Sequence, residues 1–113
     1  MPETQTKTIE PDITVLPIKG RLNIGTNLTF LEIEIKKLID GGNKKLILDL
    51  TELSYIDSAG IGMIMNMWGQ SNRAGGKLAI AGAKGPVAES FGIVHLDRVV
   101  SVYPDVAAAA AGF

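Results

Sequence analysis

The feature that most constrains the fold is a near-continuous apolar run at residues 46–50, followed by a link and a second apolar segment at residues 61–68. A strand that is apolar on both faces is typical of the interior of a sheet with parallel neighbours. The second segment begins just after Asp57 and Ser58 and has the spacing of a helix. The sequence therefore predicts a buried strand, a loop and a helix N-terminus that carries Ser58.

Strand-like and helix-like patterns alternate along the rest of the chain. The predicted strands cover residues 8–10, 13–20, 46–50, 78–81 and 98–103, and the predicted helices cover residues 26–40, 59–73, 86–91 and 106–111. This order, ββαβαβαβα, predicts an α/β domain with a mixed, mostly parallel sheet of four to five strands. The first two strands should form a hairpin, in which Pro17 requires an edge position or a bulge. A length of 113 residues fits a single domain over residues 1–113.

The apolar residues of the first two helices define their predicted core faces. Thr26, or alternatively Asn23, is expected to cap the first helix, whose core face contains Ile24, Leu28, Leu31, Ile35, Leu38 and Ile39. Phe30 and Ile33 lie opposite, where they either pack locally or form a partner or dimer surface. The core stripe of the second helix contains Ile61, Ile64, Met65 and Trp68, and the apolar arc is extended by Gly60, Met63, Met67 and Ala74. So wide an arc favours burial against a neighbouring helix over a methionine-lined contact surface.

Composition excludes several classes of function. The 11 basic and 12 acidic residues are spread along the chain, which gives a net charge of −1 and no basic patch for nucleic acid. The absence of cysteine excludes disulfides and thiolate metal sites, and the single histidine, His95, excludes a histidine-rich one. No apolar run approaches the roughly 20 residues that span a membrane, and the N-terminus lacks the apolar core of a signal peptide. The expectation is a cytoplasmic protein that binds neither nucleic acid nor membrane.

Catalytic interpretations of the sequence have weak support. Ser58 as a hydrolase nucleophile would depend on His95, and the G-x-S-x-G spacing is absent. The glycine-rich residues 82–86 lack the spacing of a phosphate-binding loop. Asp49, Glu52 and Asp57 are conceivable as ligands of Mg²⁺, but the pattern favours solvated loop acids and a helix cap. The sequence therefore predicts no enzyme, no cofactor and no metal.

Ser58 has two interpretations, a helix cap or a modification site. A family resemblance favours the modification site. The stretch Asp57-Ser58-Ala59-Gly60-Ile61-Gly62 resembles the D-S-[SA]-G-[LIV]-G signature of bacterial anti-sigma factor antagonists, which are soluble STAS domains. Two further stretches resemble the same family: Gly20-Arg21-Leu22 resembles its G-x-L segment, and Gly75-Gly76-Lys77-Leu78 resembles its G-G-x-L turn. The similarity extends over about residues 13–111.

This resemblance implies a switch in protein binding. The unphosphorylated antagonist would bind an anti-sigma factor, itself a serine kinase with a histidine-kinase-like ATPase fold, and so release the sigma factor. The kinase would phosphorylate Ser58 and the complex would dissociate, after which a metal-dependent serine phosphatase would reset the chain. ATP and Mg²⁺ would belong to the kinase.

The predicted partner-binding residues follow from the same resemblance. They are Asn23, Asp57, Ser58, Ala59, Gly60, Ile61, Gly62 and Met63. Gly60 and Gly62 are expected to keep the surface low enough for close approach of another protein. The family commonly has aspartate where this chain has Asn23, which cannot pair with a cation and bears on kinase recognition. The alternative is a STAS scaffold or ligand-binding module in which Ser58 is mainly a cap, and a homo-oligomer built through Phe30 and Ile33 would favour it.

Overall fold

A five-stranded sheet forms the centre of the molecule. The computed structural model describes residues 6–9 and 12–113, without the side chains of residues 26 and 27. The sheet contains β1 (Lys7–Ile9), β2 (Ile13–Pro17), β4 (Lys45–Asp49), β6 (Lys77–Ala81) and β7 (Ser101–Tyr103), in the order β1-β2-β4-β6-β7. Only β1 is antiparallel to its neighbour, so the predicted hairpin and the mostly parallel sheet are confirmed. The predicted strand end at Glu10 lies outside the described residues.

Strand β4 occupies the middle position that its sequence predicts. Leu46, Ile47 and Leu48 are each at most 1% exposed, because parallel neighbours and helices cover both faces. Alternation divides these side chains between two cores: Leu46 and Leu48 pack with the larger cluster, and Ile47 with the smaller. Pro17 ends β2, and among the described residues it pairs only with Asp49 of β4.

Four α-helices cover the sheet in the described part of the chain. They are α1 (Thr26–Asp40), α2 (Ser58–Arg73), α3 (Gly85–Ile93) and α4 (Val106–Ala111). Apolar residues of the first three helices share the larger core, whereas Ala109 of α4 packs in the smaller core on the opposite face. None of the helices in the described ranges is long and apolar enough to cross a membrane.

A second, two-stranded sheet was not predicted. It joins β3 (Gly20–Leu22) to β5 (Leu53–Ile56) in parallel, where the sequence suggested a loop and a link. Each strand directly continues the path of a longer strand, β3 after β2 and β5 after β4. The small sheet therefore leads the chain from the centre of the molecule to the start of α2.

The predicted helix faces require correction. Ile24 is 79% exposed, because α1 begins only at Thr26, after Gly25 with a φ of 139° that favours glycine. The N-cap of α1 is Gly25, which makes no side-chain hydrogen bond, so the predicted cap at Thr26 or Asn23 is wrong.

The buried face of α2 also differs from the prediction. Its buried residues are Gly60, Met63, Ile64, Met67 and Ser71, whereas Ile61, Met65 and Trp68 are half-buried. The buried face of α2 differs from the predicted one because α2 packs against α1 as well as against the sheets. The predicted burial of α2 against a neighbouring helix is confirmed.

The C-terminal part differs from the prediction in its details. The strand predicted for residues 98–103 is shorter in the structure, where β7 begins only at Ser101. A 3₁₀ turn, Leu96–Arg98, precedes it. His95 begins the turn in a left-handed conformation, with a φ of 56°. Phe30 is half-buried and Ile33 is 49% exposed, and their role in a contact surface stays a prediction.

Candidate partner-binding site around Ser58

Asp57 ties together the segments that form the site. It is the N-cap of α2, and its Oδ1 accepts a hydrogen bond from the Gly60 N–H at 2.9 Å. Its Oδ2 accepts a second bond from the Ile24 N–H at 3.0 Å. The Asp57 N–H donates in turn to the carbonyl of Leu22 at 3.1 Å. One residue thus fixes the start of α2 against the loop that follows β3.

These hydrogen bonds also keep Asp57 ionised. The Gly60 N–H, and after it the Ile24 N–H, hold the pKa of the Asp57 carboxyl below its usual value of 3.8. The side chain is therefore a carboxylate at neutral pH. A second negative charge on the neighbouring residue would meet this fixed charge.

Ser58 is the first residue of α2, and its side chain is exposed. Its hydroxyl makes no hydrogen bond within the described part of the chain. Because Asp57 caps α2, the prediction that Ser58 is the cap is wrong, whereas the scaffold or ligand-binding alternative stays a prediction. The hydroxyl is available for chemistry at a helix N-terminus, where the backbone favours an anion.

The other predicted contact residues divide into exposed and buried ones. Gly62 is exposed with open space above it, and Ala59 and Ile61 are half-buried. Met63 is only 5% exposed and Gly60 is buried, so neither residue lies on the exposed surface around Ser58. A Cβ on Gly60 would lie 2.8 Å from Ile56 Cγ1 and 2.9 Å from the Leu22 carbonyl oxygen. Glycine at this position permits close packing of α2 on the small sheet; it does not lower the outer surface.

The loop that carries Asn23 lies beside Asp57. Asn23 is half-buried, and its neighbour Ile24 supplies the N–H that binds the Asp57 carboxylate. The exposed Ile24 side chain belongs to the site but was assigned to the core by its spacing. Its position directly before Gly25 was the only signal that could have separated it from α1.

A cation–aromatic pair on the small sheet was also missed. The guanidinium carbon of Arg21 lies 4.3 Å from the centre of the Tyr55 ring, and the two residues are opposite each other in the strand register. Both side chains are exposed. Only the pairing of β3 with β5 brings them together, so the linear sequence carried no signal for them.

The residues of the catalytic interpretations do not converge. In the described residues no hydrogen bond joins Ser58 to His95, which lies beyond α3. Asp49 accepts hydrogen bonds from Thr51, and Glu52 pairs with Lys19. No group of three potential metal ligands occurs within residues 6–9 and 12–113.

Comparison with known proteins identifies the family. The sequence profile of the STAS domain matches residues 4–109. The chain belongs to the STAS domain family. A crystal structure from Thermotoga maritima, of a protein named for a proposed role as anti-sigma factor antagonist, superposes with a TM-score of 0.87. The two are 25% identical, and the match covers 96% of this STAS domain chain and 92% of the other.

Two relatives with names of the same kind support this assignment. BtrV of Bordetella bronchiseptica, named for a proposed role as anti-sigma factor antagonist, is 32% identical over 96 residues, which are 85% of this STAS chain and 82% of BtrV. A similarly named protein of Thermotoga neapolitana is 28% identical over 101 residues, which are 89% of each chain. The resemblance to antagonist sequences is therefore confirmed at the level of the family and its named members.

Proposed function

We propose that this STAS protein is a non-enzymatic anti-sigma factor antagonist that is switched by phosphorylation of Ser58. Its unphosphorylated form binds an anti-sigma factor that is also a serine kinase, and the sigma factor is released. Phosphorylation of Ser58 by that kinase ends the interaction, and a metal-dependent serine phosphatase restores it. The contact surface consists of the exposed part of the site: Asn23, Asp57, Ser58, Ala59, Ile61 and Gly62.

The observation that carries the proposal is the contrast between Asp57 and Ser58. Asp57 caps α2, and each of its two carboxylate oxygens accepts a hydrogen bond from a backbone N–H. Ser58 is exposed, and its hydroxyl makes no hydrogen bond to the described residues, at a helix end that Asp57 caps. A kinase can therefore reach the hydroxyl without unfolding the cap.

The charge of the phosphoryl group accounts for dissociation. A phosphoserine carries about −1.5 to −2 charges at neutral pH. In a closed interface, beside the Asp57 carboxylate, that charge meets repulsion and loses water. A buried unpaired charge costs about 2–5 kcal/mol, which corresponds to a weakening of roughly 30-fold to several-thousand-fold. The helix N-terminus can still accommodate the anion, so the domain need not refold.

Binding to purified serine-kinase anti-sigma factors from the same genome tests the proposal. Wild type and Ser58→Ala should bind one of them with equal affinity in the absence of ATP. Ser58→Asp should bind at least about tenfold more weakly, because a carboxylate carries part of the phosphoryl charge. With ATP, intact mass should show one phosphoryl group on wild type and none on Ser58→Ala.

Ser101→Asp provides the matched control. Ser101 is exposed at the start of β7, on an edge strand of the large sheet. The variant carries the same added charge and should bind like wild type. Equal binding by Ser58→Asp and wild type, or phosphorylation of Ser58→Ala to the same extent, would contradict the proposed switch.

A further inference from the structure

The small sheet carries an exposed arginine, Arg21, whose guanidinium group lies on the ring of Tyr55. Arg21 stacks on the Tyr55 ring at 4.3 Å, and the register of β3 and β5 fixes the two residues opposite each other. A stacked guanidinium keeps the N–H donors along its edge free for a planar acceptor. Because the ring restrains the side chain in advance, a partner would need to order less of it on binding.

Neighbouring acids are occupied by other groups. Glu52 pairs with Lys19 at 3.4 Å. Both oxygens of Asp57 accept backbone N–H groups. Within the described residues Arg21 has no ion-pair partner. The group best suited to Arg21 must therefore come from outside the described part of the chain.

The surroundings of Arg21 join it to the proposed interface. Three residues further along the chain, Ile24 is 79% exposed and donates its N–H to the Asp57 carboxylate. The cation, the exposed apolar side chain and Ser58 are thus positioned by one pair of strands and one capping residue. An interface commonly combines such an apolar anchor with an arginine.

We infer that Arg21 binds a carboxylate side chain of the anti-sigma factor, while Ile24 packs against an apolar residue of the same partner. This inference rests on the proposed function and adds to it the residues that select the partner. A carboxylate fits because its two oxygens match the guanidinium edge in a bidentate pair. A partner with a basic residue at the same position would be rejected, since two cations would be brought together.

Charge reversal at Arg21 tests the inference. In binding measurements with the anti-sigma factor, Arg21→Glu should weaken the unphosphorylated complex about tenfold or more. Arg21→Lys should cause a smaller loss, because lysine keeps the charge without the planar fork. Replacing the partner's acidic residue, located by cross-linking to this face, with arginine should restore affinity for Arg21→Glu alone.

Arg73→Glu is the control with the same change of charge. Arg73 ends α2, about 22 Å along the helix from Ser58. It should bind like wild type, and the thermal unfolding of both variants verifies that they fold. Unchanged binding by Arg21→Glu, or equal weakening by Arg73→Glu, overturns the inference.

Two further outcomes separate the inference from the function on which it rests. If Arg21→Glu changes only the phosphorylated chain, Arg21 serves the phosphoryl group and the inference is wrong while the switch stands. If the wild-type chain binds none of the anti-sigma factors, the proposed function fails and the inference falls with it.

Discussion

The N-termini of α2 and α4 have the same local cap but different surroundings. Asp57 accepts from the N–H of Gly60 at 2.9 Å, and Asp105 accepts from that of Ala108 at 2.8 Å. Asp57 also accepts from the Ile24 N–H, whereas Asp105 shows no second bond of this kind in the described residues. The hydrogen bond that begins each helix is thus the same, and only the second bond of Asp57 joins two segments of the chain. The cap of α2 therefore builds a site.

The third residue of each helix should show the largest difference. Gly60→Ala places a Cβ 2.8 Å from Ile56 Cγ1 and 2.9 Å from the Leu22 carbonyl oxygen, so α2 must shift. We expect a loss of about 1–3 kcal/mol in the free energy of unfolding. In α4 the equivalent residue is Ala108, and Ala108→Gly should cost only about 0.5–1 kcal/mol through helix propensity. Denaturant unfolding measures both changes.

Gly62→Ala is the control within α2. Nothing lies within 4 Å of a Cβ at this position, so the variant should be as stable as wild type or more stable, by up to about 1 kcal/mol. If Gly60→Ala behaved in the same way, close packing between α2 and the small sheet would not be the reason for glycine at this position.

Removal of the two capping carboxylates should give the next largest difference. Asp57→Ala should destabilise the fold by about 1–2 kcal/mol, and Asp105→Ala by about 0.5–1 kcal/mol, because only Asp57 also holds the loop after β3. Asp57→Ala should additionally weaken binding to the anti-sigma factor, which Asp105→Ala should leave unchanged. Unfolding curves and binding titrations measure the two effects. Equal losses in both variants would show that the bond to Ile24 contributes nothing.

The smallest expected effect concerns pH. Since the pKa of Asp57 is lowered below 3.8 in the folded state, its contribution is complete at pH values above 3.8 and disappears as the pH falls through the lowered value. Asp57→Asn keeps a capping oxygen but removes the titrating group. The stability of wild type should therefore fall more than that of Asp57→Asn between pH 5 and about pH 2.5. Parallel pH dependences for the two proteins would contradict the role of these hydrogen bonds.

The sequence predicted the large sheet well and the small one not at all. Four of the five residues at positions 46–50 are apolar, and this density predicts a strand that is buried on both faces. Strands β3 and β5 have three and four residues, and two residues of each are exposed. Their pairing depends on the position of the longer strands that precede them in the chain. Short, mixed segments of this kind carry no periodic signal of their own.

The candidate site was predicted in part for a similar reason. Asp57 and Ser58 could be placed at a helix start from the local pattern, and the family resemblance singled out Ser58. The bond from the Ile24 N–H to Asp57 and the stacking of Arg21 on Tyr55 are tertiary contacts between distant parts of the chain. Burial of Met63 likewise depends on how α2 packs into the larger core, which helical periodicity alone does not specify.

The most direct test of the switch is the phosphoryl occupancy of Ser58 in this protein from its own host, measured separately in the free and the partner-bound fractions. Intact mass and peptide mapping provide the values in growing and in stressed cells. If phosphorylation is the switch, phosphoserine occurs at position 58 in the free fraction, almost none occurs in the bound fraction, and the occupancy changes with condition. Equal occupancy in both fractions, or no phosphoryl group on Ser58 in any condition, would contradict it.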